Sequence, residues 1–245
     1  MLNILVPLAG AGKSFKDKEF TFPKALVEIH GKPMIQIVLE SLRFTTEHQF
    51  IFIIRKEEDL QYNLGSVLSL LTENPKIIYV ESPTKGAACS ALLAIDHIDS
   101  ENPLIIVNAD QYIDSDVNVI YQNFSDRGLD GGIVTFESVH PRWSFVRLDG
   151  DGMVTEAAEK RPLSRHATAG FYYFRQGKMF VRAGVEMIKK EASVNDQYYV
   201  CPAYNEMILL GKKIGTVNIE KNRFYPLGSP EDVQEFETCY RNFGL

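Results

Sequence analysis

The residues best placed to do chemistry begin at position 8. Leu8-Ala9-Gly10-Ala11-Gly12-Lys13-Ser14-Phe15 follows an apolar run directly. Glycines in such a place let the backbone approach a ligand and leave N–H groups free to cradle an anion. Lys13 and, beyond the loop, Lys24 would add positive charge to the same anion. By itself a G-x-G serves a tight turn as well as it serves a phosphate. A second candidate is Asp110, which closes Leu104-Ile105-Ile106-Val107-Asn108-Ala109-Asp110. A carboxylate at the carboxyl end of a parallel strand lies where open α/β sheets bind ligands; its bland role is a turn or helix cap. Asn108 and Gln111 beside it could orient a site, and Asp114 and Asp116 read as extra ligands or a solvated loop. Third, Glu159-Lys160-Arg161 reads either as a grip for an anion or as a solvated charge cluster reaching back to Glu156.

Two well-known phosphate loops fit the first candidate poorly. The dinucleotide fingerprint wants a third glycine where Phe15 stands, and Pro23 cuts short any helix starting there. Gly12-Lys13-Ser14 matches the end of a Walker A loop, and residues 104–110 resemble its partner strand, so a P-loop kinase is a rival. Walker A needs a helix at once after Lys-Ser, yet residues 16–23 have no apolar face and end in Pro.

These candidates need a frame to hold them. Short runs rich in Ile and Val at Asn3–Leu8, Gln49–Arg55, Lys76–Val80 and Pro103–Val107 read as buried strands of a mostly parallel sheet. Helices are expected between them at Pro33–Leu42, Glu58–Leu71 and Ala87–His97, with Pro33 as a first helical residue. Strand alternating with helix implies right-handed crossovers. The second half changes style. Strands are expected at Gly131–Glu137, Ala167–Phe174 and Ile214–Ile219, and a hairpin joins Ser144–Leu148 to Met153–Glu159 through Asp149-Gly150-Asp151-Gly152. That turn is no EF-hand loop, since Lys160 stands where the bidentate Glu is required. Helices are expected at Lys178–Lys190 and Tyr204–Leu210, and Ser229-Pro230-Glu231-Asp232 opens a last one. The fold class is α/β: a mostly parallel Rossmann-like sheet flanked by helices, with a mixed β region in the C-terminal half. Without linker, repeat or charge run, residues 1–245 read as one domain, with halves of about 1–130 and 131–245.

Composition narrows the classes. Hydrophobic residues make up 45% and charged residues 24% of the 245, an ordinary globular balance. A net charge of −6 argues against a general nucleic-acid binder. No apolar run approaches the roughly 20 residues of a membrane span, and the N-terminus lacks the pattern of a signal peptide. Cys89, Cys201 and Cys239 are odd in number and scattered, which fits reduced thiols in the cytoplasm better than a disulfide frame. The five histidines share no metal-ligand spacing. Trp143 is expected to be a hydrophobic anchor. A homo-oligomer stays open.

A third pattern accounts for more of the chain. The glycine loop, then Phe22-Pro23-Lys24-Ala25-Leu26-Val27, then Gly31-Lys32-Pro33-Met34, resembles the sugar-phosphate nucleotidyltransferase family. Pro83-Thr84-Lys85-Gly86-Ala87-Ala88 resembles the segment that lines the nucleobase there, and Asn108-Ala109-Asp110 the strand end that carries the metal-binding Asp. Glu159-Lys160 resembles the pair that contacts the acceptor, Ala169-Gly170-Phe171-Tyr172 the strand beside it, and residues 227–232 a late Gly turn.

The resemblance implies transfer of a nucleoside monophosphate from a nucleoside triphosphate, a pyrimidine one by preference, to a phosphorylated sugar or similar small metabolite. Pyrophosphate leaves. The destination would be glycan or capsule assembly. It implies nucleotide contacts from Leu8, Ala9, Gly10, Ala11, Gly12, Lys13, Lys85, Gly86, Ala87 and Asn108. Lys24 and Lys13 would stabilise charge at the α-phosphate, and Asp110 would hold Mg²⁺. Glu159, Lys160, Gly170 and Tyr172 would meet the acceptor, with Arg161 helping Lys160 and Tyr198-Tyr199 and Asn205-Glu206 shaping the pocket. A phosphate monoester is already a nucleophile, so the chemistry is positioning and charge neutralisation. Two departures stand out: Ser14 where the family commonly has Arg, and Pro226 where it has a second metal-binding Asp. Rival readings are a glycosyltransferase using Asn108-Ala109-Asp110 as its metal motif and a non-catalytic nucleotide sensor.

Overall fold

The structure is a computed structural model and describes residues 1–10, 15 and 22–240. The first strand, β1 (Leu2–Pro7), is followed by a 3₁₀ turn at Lys24–Leu26 and a small hairpin of β2 (Glu28–Ile29) and β3 (Lys32–Pro33). The hairpin turns on His30 and Gly31, both with positive φ. Then come α1 (Met34–Glu40), β4 (His48–Arg55), α2 (Lys56–Tyr62), α3 (Leu64–Leu71), β5 (Lys76–Val80), α4 (Ala87–Leu92) and α5 (Ile95–Ile98). The chain continues through β6 (Leu104–Val107), β7 (Gln111–Ile113), α6 (Val117–Asp126), β8 (Gly131–Glu137), β9 (Ser144–Leu148), β10 (Val154–Glu159) and β11 (His166–Phe174). The last elements are α7 (Gly177–Lys189), α8 (Tyr204–Leu209), β12 (Ile214–Asn218), β13 (Phe224–Pro226) and α9 (Pro230–Tyr240).

A nine-stranded sheet runs through both halves in the order β10-β9-β11-β6-β1-β4-β5, with β8 pairing β11 and β12 off that path. The strands of the first half pair in parallel. Those of the second half pair mostly antiparallel, and β11 joins the halves by running antiparallel to β6. The parallel strands carry apolar side chains on both faces. Ile4 and Val6 of β1 enter one core layer and Leu5 the other; Ile105 and Val107 of β6 likewise oppose Leu104 and Ile106. Burial on both faces is why these runs are continuous rather than alternating.

Where the structure departs from expectation, local chemistry explains it. Residues 58–71 form two helices, because Asn63 adopts the left-handed conformation at φ 52°. The Asp59 carboxylate accepts from the Gly65 N–H at 2.7 Å and lies 3.0 Å from where a Cβ at position 65 would sit. The helix expected over 87–97 breaks after Leu92. Pro33 closes β3 and precedes α1 instead of opening it. Five elements were not expected from the sequence: β2, β3, β7, β13 and α6. The first four are two or three residues long, too short for a period to show. For α6, Asp116 is the cap, accepting from the Asn118 N–H at 2.8 Å.

Candidate active site

A cleft of about 530 Å³ opens at the carboxyl ends of β1 and β6. One wall comes from the first half: Leu8 and Gly10 after β1, Lys24, Ala87 at the start of α4, and Asn108 to Gln111 after β6. The opposite wall comes from the second half: Arg142 to Ser144, Glu159, Lys160, Thr168, Gly170, Tyr172 and Tyr199, with Pro226 and Gly228 between. Residues Ala11, Gly12, Lys13 and Ser14 lie outside the described residues.

Lys24 follows Pro23, which starts the 3₁₀ turn and aims the side chain across the sheet. Its Nζ donates to Asp110 Oδ2 at 2.5 Å and to the Gly228 carbonyl at 3.3 Å, and lies 5.5 Å from the centre of the Phe15 ring. Asp110 is held in turn, because its carbonyl accepts from the Leu227 N–H at 2.8 Å. Residues 86 apart in sequence therefore form one ion pair that is open to the cleft.

The metal expectation can be tested on the donor set. Among the described residues no three His, Cys, Asp or Glu side chains gather into a metal site. Pro226 pairs with Gln111 in the β13–β7 ribbon and brings no carboxylate. Asp116 is used as the cap of α6, and the Asp114 N–H donates to the Arg223 carbonyl. One carboxylate from Asp110, now holding a lysine ammonium, fits a Mg²⁺ that is carried mainly by substrate phosphates. It does not make a protein cage.

Gly170 joins the two walls. It sits at φ +62° where the β11–β8 register shifts between Thr168 and Tyr172, and its carbonyl accepts from the Asn108 N–H at 2.9 Å. A Cβ there would lie 2.2 Å from Gln111 Oε1 and 2.4 Å from Asn108 Nδ2. Only glycine admits both amide side chains at this crossing. Gln111 is buried, and its Nε2 has no partner among the described residues.

On the wall from the second half, Glu159 and Lys160 part company. Glu159 is buried and accepts from the Ser144 hydroxyl, and burial pushes its carboxyl up from the usual range. Lys160 takes a positive φ of 53°, a strained state for a side chain with a Cβ. Its N–H donates to the Trp143 carbonyl, and its Nζ donates to the Tyr199 hydroxyl at 3.0 Å, which holds the ammonium above its ordinary pKa. Tyr172 hydrogen-bonds Thr168 Oγ1 at 3.0 Å; burial pushes its phenol far up and keeps it neutral.

Several expected roles change. Lys85 and Gly86 do not line the cleft, although Ala87 does. The Tyr198 N–H donates to the Lys85 carbonyl at 2.7 Å, and a Cβ on Gly86 would lie 2.4 Å from the Tyr198 carbonyl oxygen. Gly86 is thus required by that backbone contact, at φ +111°. Ala9 packs into the core, whereas Leu8 reaches the cleft. Arg161 pairs with Glu156 and does not support Lys160. Asn205 bridges the Ala157 backbone at 2.9 and 2.8 Å, and Glu206 pairs with Lys190, so both are structural. Trp143 is an anchor as expected, edge-on to Phe136 and Phe224. The residue that went unread is Arg142. It lines the cleft and binds Asp232, 90 positions away, a separation that no local pattern reveals.

The profile of the family described as Nucleotidyl transferase matches residues 6–212. Over 240 residues the chain is 23% identical to the bifunctional protein GlmU of Methanocaldococcus jannaschii, covering 96% of this chain and 53% of that protein. It is also 23% identical to the UTP–glucose-1-phosphate uridylyltransferase AglF of Haloferax volcanii, covering 96% and 95%. The chain spans about half the length of most curated relatives it matches. Its fold is that of the nucleoside-diphosphate-sugar pyrophosphorylase of Vibrio cholerae, at a TM-score of 0.82 and 22% identity over 96% of this chain and 99% of that one. The cleft at the strand ends, the Lys24–Asp110 pair within it and a profile match over most of the sequence agree, and the chain belongs to the nucleotidyl transferase family.

Proposed function

We propose that the protein joins a nucleoside monophosphate, taken from a nucleoside triphosphate, to a phosphorylated sugar or a similar small metabolite and releases pyrophosphate. The observation that carries this reading is the Lys24–Asp110 pair at the carboxyl end of β6, facing Lys160 across one cleft. The similarity to AglF, a UTP–glucose-1-phosphate uridylyltransferase, favours a pyrimidine triphosphate and a sugar phosphate. A role in the cytoplasm, feeding glycan or capsule assembly, belongs to the same proposal.

In this reading the glycine loop after β1 receives the triphosphate. Lys24 is shared between Asp110 and the Gly228 carbonyl, and it would turn its charge to the α-phosphate when nucleotide enters. Asp110 would then be the protein ligand for Mg²⁺, an ion that would supply neutralisation of phosphate charge. Lys160, steadied by Tyr199, holds the acceptor phosphate. The acceptor oxygen attacks phosphorus in line, with no general base, so fixed charge and orientation supply the rate.

The test is pyrophosphate release with Mg²⁺, over four nucleoside triphosphates against a panel of sugar phosphates and other phosphorylated metabolites. Release that requires one triphosphate and one acceptor together is expected. Cleavage of a nucleotide sugar with no pyrophosphate formed would move the protein to the glycosyltransferases.

A further inference from the structure

The acceptor wall carries a cation that the proposed function has not used. Arg142 opens β9's approach to the cleft, and its guanidinium meets the Asp232 carboxylate end-on, Nη1 to Oδ1 at 2.9 Å and Nη2 to Oδ2 at 2.6 Å. Its face lies 4.5 Å from the centre of the Trp143 ring. Asp232 is buried and doubly committed. With Ser229 it makes a reciprocal cap at the start of α9, its Oδ2 accepting from the Ser229 N–H at 3.0 Å and its own N–H donating to Ser229 Oγ at 3.2 Å. The anchor is therefore fixed on both sides. Two of the five guanidinium N–H groups are consumed, leaving three for another partner. The side chain is 41% exposed although it is clamped and stacked. It also feels Asp110, and the two side chains flank Gly228: a Cβ built there would lie 3.7 Å from Arg142 Nη2 and 3.7 Å from Asp110 Oδ2.

We infer that Arg142 is the fork that holds the acceptor's phosphate, clamped by Asp232 and Trp143, and that it fills the place beside Lys160 expected for Arg161. The inference rests on the proposed function for the identity of the anion. Arg142 precedes Trp143 in the chain and the Trp143 carbonyl takes the Lys160 N–H, so both cations are tied to one anchored residue. A planar fork fixes the orientation of a phosphate as well as its charge, which a lysine ammonium cannot do. An oxygen held in line with the α-phosphorus needs that orientation. The carboxylate of Asp232 keeps the fork in one rotamer before substrate arrives, so little entropy is lost on binding.

The protein reports on this contact itself, because Trp143 is its one tryptophan. Methyl phosphate, the simplest phosphate monoester, should change the Trp143 emission of the wild type. Arg142→Lys keeps the charge but loses the fork, and should weaken methyl phosphate by about tenfold to a hundredfold while leaving Mg²⁺–nucleoside triphosphate binding within about twofold. Asp232→Asn loosens the clamp without removing the fork and should give a smaller loss, which serves if Arg142→Lys does not fold. Flat Trp143 emission throughout the wild-type titration, equal methyl phosphate affinity in the folded Arg142→Lys variant, or equal loss of triphosphate and methyl phosphate binding would each overturn the inference. The two readings fail separately. Without nucleotidyl transfer for any pair but with the methyl phosphate response lost on substitution, the fork stands and the proposed function falls. With transfer intact and a normal acceptor KM in Arg142→Lys, the fork falls and the function stands.

Discussion

The cleft holds two pairs of lysine and carboxylate, one on each wall, and they are arranged in opposite ways. Lys24 and Asp110 are far apart in sequence, touch directly, and both face the opening. Glu159 and Lys160 are adjacent in sequence, yet the carboxylate turns inward to Ser144 and the ammonium outward to Tyr199. In the first pair each charge is satisfied by the other, so a phosphate entering the cleft must exchange partners with Asp110. In the second, neutral hydroxyls hold both groups, and the lysine charge is available without breaking an ion pair. On the proposed function, the wall that carries Lys24 would rearrange when nucleotide enters, and the wall that carries Lys160 would be set before the acceptor arrives. Preset groups give orientation at low cost in entropy.

Substitutions can break this contrast or sharpen it. The largest effect is expected from Lys24→Ala, which removes the mobile charge and leaves Asp110 facing a phosphate unneutralised. The rate of pyrophosphate release should fall about 10²–10³-fold, and a near-normal rate would take Lys24 out of the mechanism. Gly170→Ala comes next. The strained φ alone costs about 1–3 kcal/mol, and the new methyl collides with Asn108 and Gln111. A clear drop in the thermal midpoint is expected, and an unchanged midpoint would mean that the two walls are not joined there. Lys160→Ala should raise the acceptor KM by about tenfold with triphosphate binding unaltered; equal loss of both would place Lys160 at the triphosphate.

The smallest effect is a matter of pH. Burial raises the Glu159 carboxyl above its ordinary 4.5, outweighing the Ser144 hydroxyl and the Lys160 charge. The folded protein then holds this proton more tightly than the unfolded chain. Stability from this source is fully present below 4.5 and is lost as pH rises through the folded value. Glu159→Gln has no such proton, so the wild type should lose ground against it as pH rises from below 4.5. A constant difference between their thermal midpoints across that range would show that Glu159 is as well solvated as a surface carboxylate.

Legibility in the sequence followed the length of the pattern. Gln49–Arg55 was readable because burial on two faces forces an unbroken apolar run, and Lys76–Val80 was readable from its Ile and Val content although β5 is a half-exposed edge strand; it occupies the expected residues. The hairpin through Asp149-Gly150-Asp151-Gly152 was readable from its turn residues, and the Asp149 carboxylate does bind the N–H groups of Asp151 and Met153. Helix breaks were not, because Asn63 and the Asp59–Gly65 contact act through one residue each. In the site, Lys24 and Asp110 could be named individually, but neither their contact nor the pairing of Arg142 with Asp232 leaves a trace in local spacing. Gly86 showed the converse, since its type was legible while the partner that demands it, Tyr198, lies more than a hundred positions on.

The Lys24–Gly228 hydrogen bond spans 204 positions, and the Arg142–Asp232 clamp spans 90. On the ribosome, β1, β4 and β6 can align while later segments are still being made, but the last turn of the cleft cannot form until Gly228 and Asp232 have emerged. Contacts of such long range are slow to close because loop entropy must be overcome first. Competence for catalysis would then be a late event in the life of each nascent chain, reached only after most of the sheet is in place.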